Sequence, residues 1–164
     1  MANEINLIDC IAEITQKTIA MSGNTYVYLD TKKDVEIEIV NEAKELKEQK
    51  DLENSKNKKY IEIKKDFTAQ ESETILINGA EYQGGYDSAI KLDSAKRLSE
   101  SAGLNEVVFY DAQNNPHELL INDANDIVIA IAGKYQKDFG KYQALKADIK
   151  NAITIEEIEL IKWK

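Results

Sequence analysis

The stretch VVFYDAQNNPHELLINDAND, residues 107–126, holds the chain's only histidine, its only proline and four of its acidic residues. As chemistry it offers His117 beside Asp111, Asp123 and Asp126. As structure it is two short strands, a turn and the start of a helix. The residues favour the second reading. Ala112-Gln113-Asn114-Asn115 followed by Pro116 is turn chemistry, and the proline stands where no ladder donor is needed. His117 then opens the returning strand, and the acids around it fall at the turn and at a helix cap. NDAND resembles a calcium loop only in outline, because no glycine follows at the sixth position and no glutamate at the twelfth.

The flanking segments agree with that reading. ETILINGAEYQGG carries Asn78-Gly79 between apolar alternations, a tight-hairpin signal because both turn residues tolerate positive φ. Asp87 is expected to cap a helix with Leu92, Ala95, Leu98 and Ala102 on one face, closed by Gly103. Asn122 or Asp123 caps a long helix over 123–150, whose face runs through Ile127, Val128, Ile131, Tyr135, Phe139, Tyr142, Leu145 and Ile149. Thr154 with Glu157 three residues on is a capping box for a short helix. The expected core is Ile75, Ile77, Leu98, Val107, Phe109, Leu119, Ile127, Ile131, Tyr135, Phe139 and Leu145.

Toward the N-terminus, residues 5–21 place Ile5, Ile8, Ala12, Thr15 and Ile19 on one helical face before Ser22-Gly23-Asn24. YVYLDTKKDVEIEIV, from Tyr26, alternates Val27/Leu29 and Val35/Ile37/Ile39 about a polar turn, which favours a hairpin; a helix starting near Asp34 is the competitor. Residues 41–66 hold eight lysines and seven acids with no Gly or Pro, and should be helical, with a frayed centre at Asn54–Asn57. Heptad spacing joins Ile39, Leu46, Tyr60 and Phe67, but Glu53 and Lys56 break it as a coiled coil.

The fold expected is α+β: a small antiparallel sheet of four short strands packed on a long helix, preceded by an N-terminal helix, a hairpin and a charged helical segment. Its parts are residues 1–40, the helical linker 41–72 and the α+β domain 73–164.

Composition narrows the function. Thirty acidic against 21 basic residues give a net charge of −9, and Arg97 is the only arginine. That sign argues against nucleic acid and against an anionic membrane surface. Cys10 has no partner within its chain and reads as a small buried apolar residue. No apolar run approaches a membrane span, and MANEINLID lacks a cationic leader, so the protein is expected to be made and kept in a cytoplasm; the resemblance given below adds a virion tail as the other expected location.

An enzyme remains the alternative, a small hydrolase using His117 with Asp111 or Asp123. With one histidine, most Ser/His, Cys/His and zinc-histidine schemes depend on that residue, and no GxSxG accompanies it. A carboxylate-only site would need Glu36/Glu38 or Asp111/Asp123/Asp126 to converge. Gly84-Gly85 lacks the strand and the Lys-Ser/Thr of a phosphate loop. No catalytic, cofactor or metal residue is therefore assigned. Gly133 and Gly140 share one side of the long helix, where a neighbouring helix or chain could approach closely, and Trp163 is expected to anchor the terminal helix.

The order of elements resembles an uncharacterised bacteriophage domain at the C-terminal ends of tail-fibre and tail-fibre-assembly proteins. The matching residues are Asn78-Gly79, Asp87-Ser88, Val107 to Tyr110, Asn114-Asn115, Leu119 to Ile121, Ala144-Leu145-Lys146 and Thr154 to Ile158. The resemblance covers about residues 75–163, with Phe109-Tyr110 where that family often carries Trp. It implies a non-enzymatic phage or prophage protein, either a minor structural component or a fibre-assembly factor, working through contacts to other tail or fibre proteins. A prophage-encoded cytosolic adaptor is the other non-enzymatic reading. Self-association as a dimer or trimer through the N-terminal helix and the charged segment is also expected, because both present apolar groups.

Overall fold

A computed structural model describes residues 5–164, with the order α1 (Leu7–Thr15), β1 (Ile19–Ser22), β2 (Thr25–Tyr28), α2 (Ile37–Ser72), β3 (Thr74–Ile77), β4 (Ala80–Gln83), α3 (Tyr86–Ser101), β5 (Glu106–Tyr110), β6 (Pro116–Leu120), α4 (Ile121–Asn151) and α5 (Ile155–Leu160). The leader reading of MANEINLID rests partly on residues 1–4, which lie outside the described residues. The class is α+β, with three antiparallel two-stranded sheets. Two compact units divide the chain, residues 1–59 with 152–160 and residues 60–151 with 161–164. The division falls inside the unbroken α2, whereas the boundaries expected from the sequence lie at residues 40 and 72.

In the first unit the side chain of Asn6 caps α1 by accepting from the Asp9 amide at 2.9 Å. The helix stops at Gln16, whose φ of 55° is left-handed, so Ile19 leaves the helical face expected of it and enters β1. The hairpin then pairs Ile19 with Tyr28 and Ser22 with Thr25, and its turn sits at Gly23. The expected strand pair over 27–39 forms only at its turn, as an antiparallel bridge between Val27 and Asp34 with the Tyr28 amide bonded to the Lys33 carbonyl at 3.0 Å, and is corrected from Ile37 on, where the chain is helical. Residues 35–39 satisfy a helical period as well as an alternating one, and the helix wins because it seats Val40 and Ala43 on Cys10, Ile11, Ile19 and Tyr28. Val35 stays extended, donating its amide to the Tyr26 carbonyl at 2.8 Å. The apolar face of α1, with Ile39 and Leu46, is thus covered within its own chain.

The capping box of α5 forms: Thr154 Oγ1 accepts from the Glu157 amide at 3.1 Å, and Glu157 Oε2 accepts from the Ile153 amide at 2.8 Å. Ile158 is buried behind it.

In the second unit α4 packs on α3, and both pack on the hairpins β3–β4 and β5–β6. Asn78 and Gly79 turn β3 into β4 with φ of 51° and 84°. The expected four-stranded sheet is corrected to two separate hairpins, linked where the Ala112 amide donates to the Glu81 carbonyl at 2.7 Å. Ala112 lies in a turn, so this contact does not extend into a ladder. Val107, Ile127 and Ile131 are buried, with Ile75, Ile77, Phe109 and Leu119 packed around them.

Two expected core residues lie outside: Leu98 is 73% exposed and Phe139 40%. Leu98 follows Leu92 by six residues, about 240° around a helix. Lys96 faces α4 instead, and its ammonium reaches Asn125 Oδ1 at 2.9 Å.

Two caps are also corrected. Gly85, at φ 87°, precedes α3 and leaves Asp87 in its first turn. Helix α4 starts at Ile121, straight from β6, with the Ile121 amide bonded to the Asn105 carbonyl at 3.1 Å. The centre of α2 at 54–57 is continuous helix.

Along α2 and α4 of this unit, Tyr60 donates to the Lys146 carbonyl and Phe67 stacks on Tyr142 with ring centroids 4.8 Å apart. Trp163 reaches the same cluster, 6.2 Å from Phe67, with the Lys141 ammonium 4.6 Å from its ring centre. All four members of the heptad line Ile39, Leu46, Tyr60 and Phe67 are thus in contact within the chain.

Candidate functional site

Strands β5 and β6 pair from Glu106 with Leu120 to Tyr110 with Pro116, so the connecting turn must reverse the chain over Asp111–Asn115. Asp111 organises that turn. Its amide donates to the Asn115 carbonyl at 3.0 Å, and its own carbonyl accepts from the Asn114 amide at 3.1 Å, with Asn114 at φ 65°. Its Oδ1 accepts from the amides of Gln113 at 2.9 Å and Asn115 at 2.8 Å, while Oδ2 accepts from Asn115 Nδ2 at 3.0 Å. His117, opposite Phe109 in the ladder, brings Nε2 to 3.0 Å from the same Oδ2.

Asp111 is nearly buried at 8% exposure. The His117 bond foremost, then those from Asn115 and Gln113, hold its carboxyl well below the usual carboxylate range against the opposing effect of desolvation. Tyr82 lies against the pair, its ring centre 5.8 Å from that of His117. Burial, with the nearby Asp111 charge, raises the Tyr82 phenol above its ordinary value.

Of the residues singled out in the sequence, the structure joins Asp111 and His117. Asp123 and Asp126 stand exposed on the first turns of α4. Glu36 accepts from the Tyr28 hydroxyl at 2.7 Å, which lowers the Glu36 carboxyl and raises the Tyr28 phenol, and Glu38 is exposed on α2. Among the described residues no group of three or more His, Cys, Asp or Glu side chains is arranged to hold a metal ion. Cys10 is fully buried, and that burial pushes its thiol up, away from the thiolate a nucleophile needs.

An aspartate oriented on an imidazole is the positioning half of a hydrolytic triad, whose other half is a nucleophile on the second ring nitrogen. Here the carboxylate already closes a turn through three local donors. Its geometry is accounted for by folding.

The paired glycines also have structural work. A Cβ on Gly84 would stand 2.2 Å from the Glu73 carbonyl oxygen, and Gly85 takes a left-handed φ. A Cβ on Gly133 or Gly140 would meet nothing within 4 Å.

The core expected from the sequence takes in the inward Val107, Phe109 and Leu119 of β5–β6 and assigns no role to the outward residues. Val108, Tyr110 and Leu120 all lie more than half exposed on the outer face, beside Glu106 and Glu118. The period-two alternation carries that signal, since an inward Val107, Phe109 and Leu119 require their neighbours to point outward. No helix among the described residues is long and apolar enough to cross a membrane.

Comparison with known proteins gives a family without an assigned activity. No curated protein and no solved structure matches the chain. A family model described as Domain of unknown function (DUF4376) matches residues 54–162, which takes in the second half of α2, both hairpins of the second unit, α3, α4 and α5. The chain belongs to the DUF4376 family.

Proposed function

We propose that this protein acts through protein contacts and without turnover, as a phage or prophage tail-associated component or fibre-assembly factor. The observation that carries the contact reading is the outer face of β5–β6. Val108, Tyr110 and Leu120 present neighbouring apolar side chains on a hairpin whose inner face is packed. Adjoining exposed apolar groups on an ordered face favour an interaction surface over scattered surface residues. The tail assignment rests on the resemblance of residues 75–163 to the ends of tail-fibre and fibre-assembly proteins.

The test is a paired substitution, Val108→Ser with Leu120→Ser, in cells producing the phage. The fold should persist, because both side chains are exposed, while incorporation of the chain or of its fibre partner into particles falls. Unchanged incorporation would remove this face from the account.

The hydrolase reading is favoured by one observation, the 3.0 Å contact of His117 with Asp111. A broad activity screen comparing the wild type with His117→Ala decides it. Turnover abolished by that single change would establish the enzyme.

A further inference from the structure

Within the first unit, α2 and the residues leading into α5 enclose a groove of about 640 Å³. Glu45, Glu48 and Leu52 lie on one wall, on a single face of α2 at helical spacing. Ile153, Ile155 and Glu156 form the other. Asp51 also lines it and is bonded to Lys47, but no lysine or arginine is among the described lining residues. Ile153 is 77% exposed, and the capping box holds its backbone in place through the Glu157 carboxylate. A large apolar side chain is thereby kept in water beside carboxylates on an ordered segment.

We propose that this groove docks a segment of another protein that carries basic side chains next to large apolar ones. The apolar part would cover Ile153, Ile155 and Leu52, and the cationic part would meet Glu45, Glu48 and Glu156. Charge complementarity selects this occupant. An acidic segment would meet like charges, which costs affinity at close range, and a second copy of a chain with net charge −9 carries the unfavourable overall sign. The groove's volume lies within the range of sites that bury a compact ligand, enough for a short run of side chains rather than a whole domain. This inference deepens the protein-contact reading, and it is tested on the purified full chain, so its failure is separate from any failure of tail incorporation.

Fluorescence anisotropy supplies the test. The probes are a labelled peptide repeating leucine and lysine at helical spacing and its twin with glutamate in place of lysine. The lysine peptide is expected to bind and to weaken as salt rises, while the glutamate peptide does not bind. Ile153→Ser and Glu48→Gln should each weaken binding about tenfold, the loss of one anchoring contact. Both positions are exposed, so the circular dichroism spectrum should not change. Ile61→Ser, at an exposed residue of α2 outside the groove, should leave binding as it was. Equal binding of the two peptides, binding by neither, or equal sensitivity to Ile61→Ser and Ile153→Ser would overturn the proposal.

Discussion

His117 Nε2 lies 3.0 Å from Asp111 Oδ2, and the carboxylate it faces also accepts two backbone amides of the same turn. A catalytic pair and a turn brace share this geometry but respond differently to substitution. Asp111→Ala strands the amides of Gln113 and Asn115 and removes the closure of β5–β6, so it should lower the urea midpoint clearly. His117→Ala removes one bond to that carboxylate at a partly exposed ring and leaves the backbone donors of the turn in place, a loss of about 1.5–3 kcal/mol that stays below the loss at Asp111→Ala. Equilibrium unfolding followed by circular dichroism ranks the two. A larger loss for His117→Ala would contradict the brace.

The same carboxylate predicts an acid dependence. Its folded-state proton affinity is held below the ordinary value of 3.8, first by His117 and then by Asn115 and Gln113. The stability it contributes is therefore complete above the unfolded value and is lost as pH falls through the folded one. Between about pH 4 and pH 2 the wild-type urea midpoint should fall more steeply than that of Asp111→Asn. Parallel curves would show that Asp111 titrates alike in both states.

Local signals made part of this fold legible. Asn78-Gly79 and Thr154 with Glu157 act within a few residues, and both formed as read. Where two periods fitted the same residues, tertiary burial decided. Val35, Ile37 and Ile39 alternate like a strand, yet Val40 and Ala43 close the core only from a helix. The end of α1 at Gln16 carries no marker, since a left-handed glutamine between Thr15 and Lys17 lacks the glycine or asparagine that usually signals a helix end. Leu98 lies outside the core because the inward line of α3 turns toward Lys96 and its bond to Asn125. At the candidate site, the turn was legible from Asn114-Asn115-Pro116, but the bonds that occupy Asp111 depend on the ladder register. The groove at Ile153 was not legible, because residues 45–52 and 153–156 are far apart in sequence.

Glycine substitutions separate the open helix face from the crowded turn. Gly133→Ala and Gly140→Ala meet nothing within 4 Å and should each raise stability by about 0.5–1 kcal/mol. Gly84→Ala drives a Cβ onto the Glu73 carbonyl and should destabilise by more than either gains. Thermal unfolding of the three variants checks the order. Destabilisation by Gly133→Ala would mean that another chain approaches that face.

Light scattering tests whether burial needs a second copy. The face of α1 and the line Ile39, Leu46, Tyr60 and Phe67 are covered within one chain, so the purified protein should remain near 18.5 kDa at micromolar concentrations. A mass two- or threefold larger would place an interface elsewhere, with the outer face of β5–β6 as the first candidate.

The most direct test of the account as a whole is mass spectrometry on purified phage particles and on fibre-assembly intermediates separated from the same lysate. Peptides of this chain are expected in at least one of the two fractions, at a level that drops with Val108→Ser and Leu120→Ser together. A chain found free in the lysate and absent from both fractions would contradict it.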